Sequence, residues 1–345
     1  MTNLKKKTKN KAFKIILIVI LSILIILGVL YLVASYYFNS LIENVEVERI
    51  EESELNITVI EPKEESHEVI NFMLVGADNS DSGIHSYSQA RSDVFKVVSL
   101  DYTDKKIKIT SLDRDVVVWM PSEDCFGHFN WAYWYGGAKG SISAINYNLD
   151  LDVSKYVGIS FAGFIDVIDY IGGVDINLTN AEAYELNNGG ATKYVTAGLN
   201  HLDGYTALSY SRIRHIDSDF VRMDRQNDVI KAVITKMKDL SATELYSVVG
   251  ECLKYVTTNL TYDEIKSYLI GVLQFDLNNI DTLTYPSGRY DDICGSSIGG
   301  YLLRSYSDAV IEIHQFIYND DSYVPSKTVY DNEKKTYDTF GEFRE

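Results

Sequence analysis

The sequence predicts an α/β domain with a mixed central β-sheet flanked by helices, and three observations carry that prediction. Short runs rich in β-branched and aromatic residues, VINFMLVGAD at 69–78, VFKVVSLDY at 94–102 and KIKITSL at 106–112, read as strands. Further strand-like runs alternate with helical patterns, the order expected of layers packed on a mixed sheet. From Val69 to Asn319 the chain is rich in β-branched, aromatic and glycine residues. That length is ample for a full core, and four prolines and no internal repeat leave nothing to divide it.

In chain order, residues 1–14 form a basic tail carrying Lys5, Lys6, Lys7, Lys9, Lys11 and Lys14. Residues 15–36 follow as an apolar run long enough to span a bilayer. Lysines before the span and acids after it put the N-terminus in the cytoplasm and the rest outside, a single-pass anchor. Cleavage as a signal peptide, with Val33 and Ser35 as the small-residue positions, is the competing reading; the run is longer than a usual signal. Residues 37–68 read as an acidic extracellular spacer, since ten glutamates between 43 and 68 face only Arg49 and Lys63. The domain of 69–319 comes next, and 320–345 reads as a polar, frayed tail.

Within the domain, Asp101 to Lys105 make a hairpin turn between the second and third strands. A helix is expected near 141–149, a strand near 156–161, a helix near 164–171, a strand at 174–178 after Gly172-Gly173, and a helix from Asp203 to Tyr210. After Asp219, apolar Ile230, Val233, Ile234 and Met237 at i, i+3, i+4, i+7 mark an amphipathic helix capped by Ser218 or Asp219. If the chain is extended before it, Arg212 and Arg214 project to one side.

The stretch YSRIRHIDSDFVRMDRQ, 210–226, gathers Arg212, Arg214, Arg222 and Arg225 around Asp217 and Asp219 in a chain of formal net charge −17. Arginines in the first turn oppose the positive end of the helix dipole, whereas a bound phosphate would complete both the dipole and the free N–H groups. Asp78 ends the first strand and Asp93 opens the second. Two carboxylates flanking one loop can share a hard divalent ion with a phosphate. Beside the arginines, that pair points to pyrophosphate chemistry.

No HExxH, GxSxG or Walker-type loop is present, and no cysteine pair has zinc-ligand spacing with a histidine. So acidic a chain lacks the basic footprint of a nucleic-acid binder. Of three cysteines, Cys125 and Cys294 lie in turn-like contexts and are expected to form a disulfide outside the membrane, while Cys252 sits in a helical pattern as a buried hydrophobe.

LVGAD at 74–78, ARSD at 90–93, SLDRD at 111–115, FNWAYWYGG at 129–137, YIGGVDI at 170–176, LDGYTALSYSRIRH at 202–215 and DFVRMDRQ at 219–226 occur in an order and spacing that resemble the LytR-CpsA-Psr family, membrane-anchored enzymes of the Gram-positive envelope. The resemblance spans 69 to 317, with TNLTYDEI at 258–265 similar to the family's C-terminal region. It implies transfer of an anionic glycopolymer-phosphate, such as teichoic acid or capsule polysaccharide, from a polyprenyl-pyrophosphate carrier to peptidoglycan. By position it implies Asp78 and Asp93 as ligands of Mg²⁺ or Mn²⁺, and Arg91, Arg114, Arg212, Arg214, Arg222 and Gln226 as the pyrophosphate clamp. Arg225 joins that cluster or pairs with a neighbouring acid. Asp219 orients arginines or assists deprotonation of the incoming hydroxyl. Arg214 and Arg222 are expected to face solvent.

Two departures stand out: Asp113 replaces the family's proline beside Arg114, and Asn79-Ser80 stand where an arginine is common. Trp131 and Trp134 enlarge a motif that usually holds smaller residues and read as core packing, with lining of a lipid-carrier groove as the alternative. A pyrophosphatase acting on the same lipid would use the same metal and arginines with water as acceptor. A non-catalytic, polymer-binding or regulatory envelope protein would need the arginines but not the paired carboxylates.

Overall fold

A computed structural model describes residues 46–47, 49–58, 68–77, 92–238, 240–272, 274–287 and 293–341. The expected membrane segment, the basic tail, Asp78, Arg91 and Asn79-Ser80 lie outside the described residues. Among the described residues no helix is long and apolar enough to cross a membrane.

The chain begins with β1 (Glu46–Val47), β2 (Val69–Ala77), β3 (Ser92–Asp101), β4 (Lys106–Leu112) and the hairpin β5 (Val117–Met120) and β6 (Cys125–His128). Then come helix α1 (Phe129–Leu149), β7 (Lys155–Ser160), α2 (Phe161–Tyr170), β8 (Val174–Leu178), α3 (Asn180–Glu185), β9 (Gly198–Leu202), α4 (Gly204–Ser211) and α5 (Asp219–Lys238). The remainder is α6 (Ala242–Cys252), β10 (Val256–Thr258), α7 (Tyr262–Val272), β11 (Asp281–Tyr285), the hairpin β12 (Ile293–Gly295) and β13 (Tyr301–Leu303), α8 (Tyr306–Tyr318) and α9 (Lys327–Phe340).

Seven strands form the central sheet in the order β1-β10-β7-β2-β3-β4-β11. It is mixed: β2, β3 and β4 are antiparallel neighbours, whereas β7 runs parallel to β2 and β11 parallel to β4. One hydrophobic cluster takes Met73, Val75 and Val97 from the sheet and Ile142, Ile145, Leu149, Val310 and Ile313 from α1 and α8. A second, built on Val174, Ile176, Leu202, Ala207, Tyr210 and Val229, joins the β8–β9 pair to α4 and α5. Strands buried on both faces read as near-continuous apolar runs, which is why the first three were visible in the sequence. The β8–β9 pair forms its own two-stranded sheet.

Three expectations are corrected. The acidic stretch is not all spacer: Glu46–Val47 add an edge strand beside β10, and Leu55 is fully buried in the main cluster. One leucine and the packing of Ile50 and Ile57 outweigh the surrounding glutamates, which point to water. The C-terminal stretch is likewise folded. Ser326 caps α9 and also bonds Asp150, and Val329, Asn332 and Thr336 bury one stripe of the helix. Finally, Cys125 is a free, exposed thiol. The β5–β6 hairpin meets the β12–β13 segment at its other end, where Val116 bridges Tyr301 and His128 bonds Gly299. Three residues of strand, about 10 Å, carry Cys125 away from that junction.

Candidate functional site

A β-bulge sets the first carboxylate. Gly76 pairs with Val94 and Ala77 with Ser92, so Asp93 is the extra residue between them. Bulges redirect a side chain out of the ladder. The Ser92 hydroxyl, fully buried, lies 2.8 Å from the Gly76 carbonyl and 2.9 Å from that of Val94, clasping the bulge. Glycine at 76 eases the close approach of the strands, since a Cβ there would come within 3.1 Å of Val94 Cβ. The role of Ser92 was missed in the sequence; its place beside Asp93 was the available signal.

The loop after β4 supplies the next group. Asp113 N–H donates to Tyr285 O at 2.8 Å, and Asp113 Oδ1 accepts from Asp115 N–H at 2.9 Å, so the residue that replaces a proline holds its own turn. Its Oδ2 has no partner among the described residues, and burial pushes its carboxyl up to about 6. Arg114 reaches Asp93 through Nη1 and Asp115 through Nε at 3.4 Å. Gly300, at φ +71°, lets its loop pass behind Asp115, whose carbonyl takes the Tyr301 N–H at 2.9 Å.

The third group flanks α5. Arg212 and Arg214 are exposed and Ile213 between them is buried, but the segment is not extended as expected: Arg212 caps α4 at φ −109° and ψ 0°, and Ile213 N–H donates to Tyr210 O at 3.3 Å, so the chain turns there. Arg212 stacks on Phe161 at 4.6 Å. The Ser218 hydroxyl accepts from Val221 N–H at 3.4 Å, capping the helix, and Asp219, Arg222 and Gln226 follow on one face. Asp219 Oδ2 accepts from Arg222 Nη2 at 2.5 Å, while its Oδ1 stands 3.8 Å from Arg214 Nε. Arg214 also lies 3.8 Å from Asp93.

These groups rim an apolar cavity. Leu74, Val94, Ile159, Phe161, Phe164, Leu208, Val229 and Ile230 line it, and Asp93, Arg212, Arg214, Arg222 and Gln226 stand in the same wall. Such a site suits an anionic headgroup on an apolar tail.

Arg222 differs from expectation, and Arg225 takes the second of its two expected roles, pairing with neighbouring acids. Arg222 is buried, 2 % exposed, and two of its donors, Nε and Nη1, have no partner among the described residues. Burial, opposed by Asp219, lowers its affinity for its proton. It sits under the site because the apolar residues of α5 turn that face inward. Arg225 is not part of the clamp: Nε donates to Glu182 at 2.7 Å, Nη1 to Ile213 O at 3.1 Å and to Asp217 at 3.0 Å, and Nη2 to Asp217. It ties the arginine-bearing loop to α3. Lys96, also unforeseen, lies fully buried beneath α5, donating to Ser111 at 2.7 Å and Asn227 at 2.8 Å; burial pushes it down to about 7. Trp131 and Trp134 are each 37 % exposed rather than packed in the core.

A bulge-mounted aspartate and three arginines thus meet at an apolar cavity. The LytR_cpsA_psr family model matches residues 30–310, and the chain belongs to that family. Among its relatives, "Polyisoprenyl-teichoic acid--peptidoglycan teichoic acid transferase TagU" of Enterococcus faecalis is 30% identical over 270 residues, 76% of this chain and 82% of that protein. The corresponding transferase TagT of Bacillus subtilis is 27% identical over 80% of this chain and 84% of its own length. A structure of TagT bound to LIIa-WTA shares the fold, with a TM-score of 0.61 at 23% identity, covering 81% of this chain and all of that one. The chain is thus an enzyme of the transferase class.

Proposed function

We propose that this enzyme transfers an anionic glycopolymer-phosphate from a polyprenyl-pyrophosphate carrier to peptidoglycan, leaving a phosphodiester bond. The observation that carries the reading is the apolar cavity ending on Arg212, Arg214, Arg222 and Asp93. The carrier's apolar chain enters the cavity, and its pyrophosphate meets the guanidinium groups. Arg222, held by Asp219, presents its remaining donors Nε and Nη1 to the phosphoryl oxygens beside Arg214, and Arg114 is oriented by Asp93 and Asp115. Phosphoryl transfer asks mainly for positioning and charge neutralisation, which this arrangement gives. The acceptor hydroxyl oxygen bonds to the sugar-side phosphorus while the bond to the bridging oxygen breaks, and polyprenyl phosphate leaves. Asp219 Oδ1, beyond hydrogen-bond range of Arg214, takes the hydroxyl proton.

The residues fit a hard divalent ion. In this charged cluster Asp93, Asp113, Asp115 and Asp219 equal Arg114, Arg212, Arg214 and Arg222 in number, so the negative charge of a pyrophosphate calls for an added cation. Asp93, with Asp78, would hold Mg²⁺ or Mn²⁺, which neutralises phosphoryl oxygens and withdraws their charge. The carboxylates of Asp113, Asp115 and Asp219 lie within 4.8 Å of one another beside it. As for location, the lysines of 1–14 and the apolar run 15–36 favour a single-pass anchor in the cytoplasmic membrane with the domain outside.

Arg214→Ala tests the reading, because Arg214 is exposed and its loss leaves the core alone. Removing one charge-assisted contact should weaken donor binding by about 1.5–3 kcal/mol. A purified variant that turns over lipid-linked donor like the parent would defeat it.

A further inference from the structure

Beyond Arg114, on the first two turns of α1, stands an aromatic surface that the phosphate chemistry does not use. Asn130, Trp131, Trp134 and Tyr135 line one surface cleft. Their spacing, i, i+1, i+4, i+5, places them together on one helical face. Tyr135 is 61 % exposed, beside the half-exposed tryptophans. Three large rings within five residues left in water form a patch that ordinarily marks a binding surface. The platform is anchored: the Trp131 ring lies 4.6 Å from His128, which bonds Gly299 O at 2.8 Å.

The patch is joined to the phosphate site by direct bonds. Asn130 N–H donates to Arg114 O at 3.3 Å, and its Nδ2 to Asp115 Oδ1 at 3.2 Å. Arg114 in turn holds Asp93, which lines the apolar cavity. The surface therefore runs in three parts: apolar cavity, guanidinium and carboxylate centre, aromatic cleft. An amphiphile built as lipid, pyrophosphate and glycan has the same three parts in the same order.

We propose that Trp131, Trp134 and Tyr135 form a subsite for the pyranose rings of the donor glycan nearest the pyrophosphate. The C–H faces of a pyranose carry partial positive charge and meet the negative faces of aromatic rings, while Asn130 holds the aromatic turn against Asp115. The occupant is the donor glycan because a sugar one bond from the phosphate must lie next to Arg114. The inference rests on the proposed lipid-pyrophosphate donor, but sugar binding can be measured without it.

The first measurement uses the N-acetylglucosamine disaccharide, free of phosphate and lipid, titrated into the full chain while tryptophan emission is followed. Binding should weaken about tenfold in Tyr135→Ala and in Trp134→Ala, equivalent to ~1.4 kcal/mol, and stay unchanged in Arg214→Ala. The second compares a saccharide-bearing polyprenyl-pyrophosphate with the bare polyprenyl pyrophosphate. The aromatic variants should lose affinity for the first and keep it for the second. No response to the disaccharide, or equal response in the aromatic variants, overturns the subsite. Undiminished affinity of these variants for the glycan-bearing lipid overturns its assignment to the donor. Failure of the parent protein to hold bare polyprenyl pyrophosphate would instead strike the lipid-pyrophosphate reading, with the disaccharide result still deciding whether the cleft binds sugar.

Discussion

Replacing Arg222 with methionine should weaken the enzyme's grip on its donor and make the empty protein more stable. Arg222 is 2 % exposed, makes one bond, to Asp219, and leaves Nε and Nη1 without partners among the described residues. Each unmade buried donor costs roughly 1–3 kcal/mol, while the charge-assisted bond to Asp219 returns about 1.5–3 kcal/mol. Methionine fills similar space without polar atoms, and Asp219, 23% exposed, can hydrate. The net should be a gain of about 1–3 kcal/mol, or ~2–4 °C of melting temperature per kcal/mol in a domain of this size. With the two donors gone, donor affinity should fall by about 3 kcal/mol or more, over a hundredfold. Calorimetric melting of both proteins, with and without lipid-linked donor, reads both effects. A lower melting temperature together with unchanged donor affinity would refute the assignment of Arg222's free donors to the pyrophosphate.

Arg225→Ala should behave oppositely, destabilising by about 3–5 kcal/mol because it leaves the buried Glu182 without its charge partner; a urea-unfolding loss below about 1 kcal/mol would remove its role as a tie. Lys96 has a folded pKa lowered to about 7 against roughly 10.4 unfolded, so the unfolded chain binds more protons between these values and stability should rise with pH across that window. Lys96→Met should flatten that rise in thermal melts from pH 6 to 10, and an unchanged slope would assign it to another group. Chelation should abolish transfer, Mg²⁺ or Mn²⁺ should restore it, and Asp93→Asn should need far more metal; full activity in chelator would leave Asp93 only its bond to Arg114.

The sheet was legible because β2, β3 and β4 are buried on both faces, and their apolar runs say so without any partner. The exposure of Arg212 and Arg214 has another origin than the extended backbone expected, since Arg212 closes α4 in a turn at φ −109° and ψ 0°. What escaped depends on contacts distant in sequence. Arg225 and Arg222 look alike in the sequence; Arg225 is drawn away from the site by Asp217 and by Glu182, which lies on another helix. Leu55 and Val329 are among the few apolar residues of polar stretches, and composition averaged over those stretches hid their burial. The bulge at Asp93 follows from pairing with β2, a register no one strand encodes. The aromatic run at 131–135 could be read as core or surface, since the two tryptophans and Tyr135 share a helix with buried Ala132 and Tyr133.

The most direct measurement is product analysis by mass spectrometry after the full chain is mixed with a polyprenyl-pyrophosphate-linked saccharide, a peptidoglycan fragment and Mg²⁺. The account predicts saccharide joined to the fragment through one phosphodiester, with polyprenyl monophosphate released one for one. Release of the same lipid with only free saccharide phosphate, whatever the concentration of fragment, would show water as the acceptor and contradict it.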